Sequence, residues 1–200
     1  FPVGKDTSLT PIKDWLLNQP SVRWVGTFTE TKNAPIFSFE TEKGILYQTK
    51  PAHFQQVNIK GNHVLREKVL SFCEEKKVTN VLDLYCGSGN LSLQLAKNGI
   101  SVLGIEQSSG AIEIAQDNVK KNNLKDAIYL SEDGEKYFKQ KNIPTFDLVI
   151  IDPPRRGIKE IVPSILAIKP QYIIYVSCDP TTLARDLGVL KNNYQLEKIA

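Results

Sequence analysis

The sequence contains no methionine, two tryptophans, two histidines and three cysteines in 200 residues. Cys73, Cys86 and Cys178 are too few and too widely spaced for a disulfide framework or a zinc-binding pattern, so no metal is expected. Such sparing cysteine use fits a reducing compartment, and a cytoplasmic location is expected. No run is long and apolar enough to span a membrane, and no signal peptide is visible. Neither charge dominates. The 25 Lys and Arg residues against 22 Asp and Glu give a net charge of +3, which permits an RNA partner without requiring one. Repeats and low-complexity tracts are absent. With no initiator methionine and an abrupt start at Phe1, a piece of a longer protein is expected. What is present is an ordinary globular composition, 41% hydrophobic and 24% charged, with enough chain for a substantial core.

The chain is organised around Val81-Leu82-Asp83-Leu84-Tyr85-Cys86-Gly87-Ser88-Gly89-Asn90. The apolar start suits a strand buried on both faces. Two glycines then permit positive φ and let a ligand approach the backbone without meeting a Cβ. Leu91, Leu95 and Ala96 follow at helical spacing. Strand, glycine turn and helix form the first unit of a nucleotide-binding α/β sheet, with Asp83 at the strand's end. The next strand, residues 101–105, ends in Glu106, where a carboxylate can accept from both ribose hydroxyls. On the residues alone, a dinucleotide site and a plain structural turn both stay open.

Upstream, Ile12, Trp15, Leu16 and Leu17 have helical spacing, and residues 22–29, 34–40 and 45–48 read as short strands between turns. Residues 1–59 are therefore expected to be a small, mostly β lead-in, and residues 60–200 the main α/β domain. Pro51 to Asn58 precede a helix near residues 62–76. His53 reads as a solvated loop histidine, while Gln56 and Asn58 can donate to a ligand.

Downstream, Ala111, Ile112, Ala115 and Val119 share one face of a helix over residues 109–122. Residues 127–130 form a third strand. Asp133, just beyond, suits either an adenine amino group or the N-cap of a helix over 134–140. A fourth strand, residues 146–151, ends in Asp152-Pro153-Pro154-Arg155-Arg156-Gly157, where two prolines force the chain out of the sheet as a stiff loop. Arg155 and Arg156 there either meet phosphates or are merely solvated. A fifth strand, residues 171–176, leads to Ser177-Cys178-Asp179-Pro180, with Thr181 or Thr182 capping a helix to about residue 192. Cys73 and Cys86 read as small buried hydrophobes. Cys178 differs because it falls on a strand-end loop. Residues 194–200 begin a sixth strand.

Taken together in this order, the D-P-P-R and S-C-D-P motifs and the glycine loop make the chain resemble the S-adenosylmethionine-dependent RNA uracil-C5 methyltransferases, over roughly residues 45–200. The resemblance implies a Rossmann-like α/β fold, S-adenosylmethionine as cofactor, and transfer RNA or 23S ribosomal RNA as partner. Phe54-Gln55-Gln56-Val57-Asn58 matches the family's F-x-Q-V-N, which makes Gln56 a cofactor contact. Asp83, Tyr85, Gly87 and Asn90 fall in the cofactor loop, Glu106 matches the ribose-binding acid, and Asp133 falls on the adenine side. Asp152 matches the acid of the D-P-P-R motif, which is implied to position the uracil and to line the cofactor side, and Cys178 matches the nucleophile of S-C-N-P. Asp179 stands where the family usually has asparagine.

The resemblance also implies a base, a glutamate, C-terminal to the sixth strand, and an antiparallel seventh strand between the fifth and sixth. Both are expected to lie outside these 200 residues, as are the family's N-terminal RNA-binding barrel and the iron–sulfur cysteines of some members. The fifth strand is then expected to be an open edge, so that the chain expressed alone self-associates or leaves residues 194–200 disordered, and it is expected to be inactive in turnover without the base. Two other readings remain. One is an amino-methyltransferase, which shares D-P-P but usually continues with an aromatic residue where Arg155 stands. The other is a non-catalytic cofactor- or RNA-binding segment.

Overall fold

A computed structural model describes residues 37–41, 43–50 and 58–199. The expected helix near residue 12, the strand at 22–29, the start of the strand at 34–40, and both His53 and Gln56 lie outside the described residues.

Five strands form one parallel sheet: β3 (Asn80–Leu84), β4 (Ser101–Glu106), β5 (Ala127–Ser131), β6 (Leu148–Ile151) and β7 (Tyr172–Tyr175). Their order across the sheet is β5-β4-β3-β6-β7. The chain thus builds outward from β3 in one direction and returns to its other side with β6. Neighbouring strands whose connections diverge leave a crevice at their carboxyl ends, and here that crevice lies between β3 and β6.

Alternate residues feed two cores, because helices cover both faces. Val81, Leu148 and Ile150 join one cluster, whereas Leu82, Leu84, Val149 and Ile151 join the other. The first face is covered by α1 (Ile59–Lys76), α2 (Leu93–Lys97) and α3 (Ser109–Lys121), which contribute Val69, Leu95 and Ala115. The second is covered by α4 (Gly134–Tyr137), α5 (Val162–Ile168) and α6 (Pro180–Leu190), which contribute Tyr137, Ile165 and Leu190.

Several boundaries differ from the sequence reading for local reasons. Helix α1 starts earlier than residue 62 because the Asn58 side chain accepts from Gly61 N and caps it. Gly87 to Ser92 are all turn, so α2 begins only at Leu93. Asp179, not Thr181 or Thr182, caps α6: its carboxylate accepts from both their N–H groups, with Pro180 in the first turn. Helix α4 is a single turn. Helix α5 has no counterpart in the sequence reading. The sixth strand is corrected outright, since residues 194–199 form no strand. They are held by side chains instead. The Tyr194 phenol donates to Pro170 O at 2.7 Å, and Glu197 pairs with Lys76, which lies over the Phe72 and Tyr172 rings.

The lead-in contributes an antiparallel pair, β1 (Phe37–Glu40) and β2 (Leu46–Thr49). Strand β2 is docked on α3 by two asparagine amides. Asn122 accepts from Leu46 N and donates to Leu46 O, both at 2.8 Å. Asn118, one turn earlier, accepts from Gln48 N at 2.8 Å and donates to Gln48 O at 3.0 Å. Ile45 and Tyr47 are buried in the first core cluster.

Candidate functional site

The carboxyl ends of β3, β4 and β6 bring Asp83, Glu106 and Asp152 to one edge of the sheet. Asp83 is only 1% exposed. Its Oδ2 accepts from Ser92 Oγ at 2.5 Å, and Ser92 Oγ in turn meets the Tyr129 hydroxyl at 2.9 Å. Its Oδ1 is buried with no hydrogen-bond partner. Burial pushes this carboxyl up to about 7; the Ser92 bond opposes the shift, and the nearby Asp152 and Glu106 charges add to it.

The loop after β3 turns by left-handed residues: Tyr85 at φ 61°, Gly87 at 55° and Gly89 at 86°. A Cβ at Gly89 would lie 2.8 Å from Leu93 Cγ and 2.9 Å from the Tyr129 hydroxyl oxygen, so this glycine seats the loop on the core. At Gly87 a Cβ would meet nothing within 4 Å, which leaves that stretch of backbone open to a ligand. Tyr85 is half-buried; burial raises its phenol's pKa, and the Arg156 charge opposes that rise.

Asn90 is tied to α1. Its amide exchanges hydrogen bonds with Asn62, at 2.9 and 2.8 Å, and its Oδ1 also accepts from Arg66 Nη1 at 3.3 Å. Glu106 Oε1 accepts from Ser108 N at 2.8 Å, leaving Oε2 for a ligand. Asp133 caps α4, its Oδ1 accepting from Glu135 N and Lys136 N. The N-cap role is thus present.

Asp152 follows β6, and Cys178 lies three residues past β7, the neighbouring strand, where Ile151 pairs with Tyr175. Cys178 is exposed, whereas Cys73 and Cys86 are buried. Burial pushes the Cys73 thiol up to about 12 and the Cys86 thiol well above its ordinary value, so neither readily forms a thiolate. Within the loop, Ser177 Oγ donates to Asp179 O at 2.9 Å and accepts from Asp179 N at 3.1 Å. The Asp179 carboxyl is held below its usual range by the Thr182 and Thr181 N–H groups, with a smaller contribution from the Arg155 charge. Asp179 only accepts here, and an asparagine oxygen can do the same, so its departure from the family pattern leaves the cap intact. Arg155 and Arg156 are exposed on the D-P-P-R turn.

Sequence reasoning missed Asn62, Arg66, Ser92 and Tyr129, which orient the loop from α1, α2's approach and β5. Their polarity gives no signal of which partner they face. Among the described residues no group of His, Cys, Asp and Glu side chains is arranged to hold a metal ion, and no helix is long and apolar enough to cross a membrane.

The sheet and its glycine loop are those of a Rossmann-like methyltransferase. The crystal structure of Pyrococcus abyssi tRNA (uracil-54, C5)-methyltransferase in complex with S-adenosyl-L-homocysteine is similar over 76% of this chain and 37% of its own, with a TM-score of 0.67 and 34% identity. More particularly, the chain belongs to the tRNA (uracil-5-)-methyltransferase family, whose model matches residues 39–200. An uncharacterised RNA methyltransferase of Mycoplasma mobile is 36% identical over 93% of the chain and 50% of its own length. The 23S rRNA (uracil(1939)-C(5))-methyltransferase of Acinetobacter baumannii is 41% identical over 75% of the chain and 34% of its own length. The chain therefore spans half or less of the length of these curated relatives.

Proposed function

We propose that the chain carries the cofactor site and the nucleophile of an RNA uracil-C5 methyltransferase acting on transfer RNA or 23S ribosomal RNA. The observation that carries this reading is the position of Cys178. It is the exposed thiol among three, and it stands one strand away from Asp152 at the edge that also bears the glycine loop and Glu106.

The residues at that edge fit S-adenosylmethionine. The open backbone at Gly87 and the free Glu106 Oε2 suit its amino-acid and ribose groups. The orphaned Asp83 Oδ1 lacks a donor that a bound ammonium or water can supply. Asp133 keeps Oδ2 for an adenine amino group, Asn90 keeps one N–H, and Tyr85 flanks the loop. Gln56 is proposed from its motif alone. When bound, S-adenosylmethionine supplies an electrophilic methyl carbon.

The uracil must become a nucleophile at C5, which it is not on its own. Addition of the Cys178 thiolate to C6 makes C5 enolate-like. Asp152, on a loop stiffened by Pro153 and Pro154, positions the base, and Arg155 and Arg156 meet RNA phosphates. After C5 is methylated, a base removes the C5 proton and β-elimination releases Cys178.

The test is trapping. With 5-fluorouridine at the target site no C5 proton is available, so the full-length protein with S-adenosylmethionine should retain RNA on a denaturing gel. Cys178→Ala should retain none. Methyl transfer to an amino group without any adduct would instead favour the amino-methyltransferase reading.

A further inference from the structure

Asp186 lies on α6 and is only 1% exposed. Its Oδ2 accepts from the main-chain N–H of Ile158 and from the Tyr175 hydroxyl, both at 2.8 Å. Its Oδ1 accepts from Arg185 Nε at 2.8 Å and pairs with Arg185 Nη2 at 2.7 Å. Arg185 Nη2 also donates to the carbonyl of Arg156 at 2.8 Å. One carboxylate therefore accepts three hydrogen bonds and makes an ion pair, so that both of its oxygens are engaged within the fold.

These bonds reach both motifs. Arg156 and Gly157 end the D-P-P-R-R-G turn, and Ile158 follows it. Tyr175 is the last residue of β7, three before Cys178, and α6 is the helix that Asp179 caps. The packing leaves no slack. A Cβ at Gly157, which sits at φ +74°, would lie 2.4 Å from Asp186 Oδ2 and 2.5 Å from Arg185 Nη2.

We propose that Asp186 is a positioning residue that locks the Asp152 loop to the Cys178 loop, so that the target base and the thiol are held in one geometry. This rests on the reading of Cys178 and Asp152 given above. Reacting groups displaced by about 1 Å lose rate on the order of 100-fold, whereas the cofactor site on β3 and β4 touches none of these bonds.

The experiment uses the full-length protein and measures three things: S-adenosylmethionine affinity, the rate of the 5-fluorouridine adduct at saturating RNA, and exchange of the Ile158 amide. Asp186→Asn should slow the adduct by roughly 30-fold or more while leaving cofactor affinity and RNA KM within about 3-fold. Its Ile158 amide should exchange faster, with amides of β3 and β4 unchanged. Arg185→Gln guards against misfolding, because its side chain is 42% exposed and the change cuts only the tie to Arg156 and one partner of Asp186. It should slow the adduct by about 3- to 10-fold. Variants that form adduct at the wild-type rate, or that lose cofactor affinity in step with adduct rate, would overturn the positioning role. A wild-type protein that forms no adduct overturns the site reading itself, and is told apart because the loss precedes any substitution.

Discussion

The two halves of the sheet edge are built differently. On the β3–β4–β5 side, Asp83, Ser92 and Tyr129 are buried, and the glycine loop rests on Leu93 and Tyr129. Packing fixes that half, and the cost is a desolvated carboxylate with one orphaned oxygen. On the β6–β7 side, Arg155, Arg156 and Cys178 are exposed, and the loops are held by prolines, the Asp179 cap and the bonds to Asp186. On the function proposed above, the cofactor meets a buried wall, and the RNA meets exposed groups pinned from behind.

The comparison breaks most completely at the thiols. Cys178→Ala in the full-length protein should abolish methylation while leaving cofactor affinity nearly intact. Cys86→Ala, on the packed side, should keep appreciable turnover. Equal losses in a methyl-transfer assay would show that the exposed half holds no special nucleophile.

Next in size is the pH response of the buried wall. The Asp83 carboxyl rises from its ordinary value to about 7 in the folded chain, so the folded state binds more protons than the unfolded state between about pH 4 and 7. Stability is therefore highest at the low end of that window and falls as pH rises through it, on the order of a few kcal/mol. Asp83→Asn removes this titration. Urea unfolding should show the variant gaining on the wild type from pH 5 to pH 8, and a constant difference would mean that Asp83 is charged throughout.

Glu106→Ala should weaken S-adenosylmethionine binding by roughly 1.5–3 kcal/mol, the scale of a charge-assisted hydrogen bond. Unchanged affinity by calorimetry would remove Glu106 from the ribose. The smallest effect concerns the outer edge of β7, which no strand pairs among the described residues. The chain expressed alone should show concentration-dependent self-association, because an open edge pairs with other chains. Light scattering that reports a monomer at every concentration would show the edge to be protected.

The parallel sheet was legible because strands buried on both faces must be apolar runs, and Leu148 to Ile151 could hardly be anything else. Strand ends followed from those runs, which is why Asp83, Glu106 and Asp152 could be placed on one edge from the sequence. The N-cap of α6 was legible too, but misread. Pro180 is suited to the first helical position, and that alone points to Asp179 as the cap ahead of either threonine. Helix α5 was hidden by its length of 7 residues and by Pro163 inside its first turn. The sixth strand failed because apolar residues such as Tyr194, Leu196 and Ile199 specify a strand only where a neighbour can complete its ladder. What no pattern could show is which polar side chains meet. Ser92 and Tyr129 are 37 residues apart, and Asp186 and Ile158 are 28 apart.

The asparagine pair Asn118, on α3, and Asn122, its C-cap, has a further consequence. Asn118 and Asn122 grip β2 by its peptide groups at Leu46 and Gln48, touching neither side chain in doing so. Such a socket recognises a strand without reading its letters. The spacing between the two amides, one helical turn, matches every second residue of the strand, so the main chain sets the register, while the side chains of Tyr47, Gln48 and Thr49 are constrained separately by their burial.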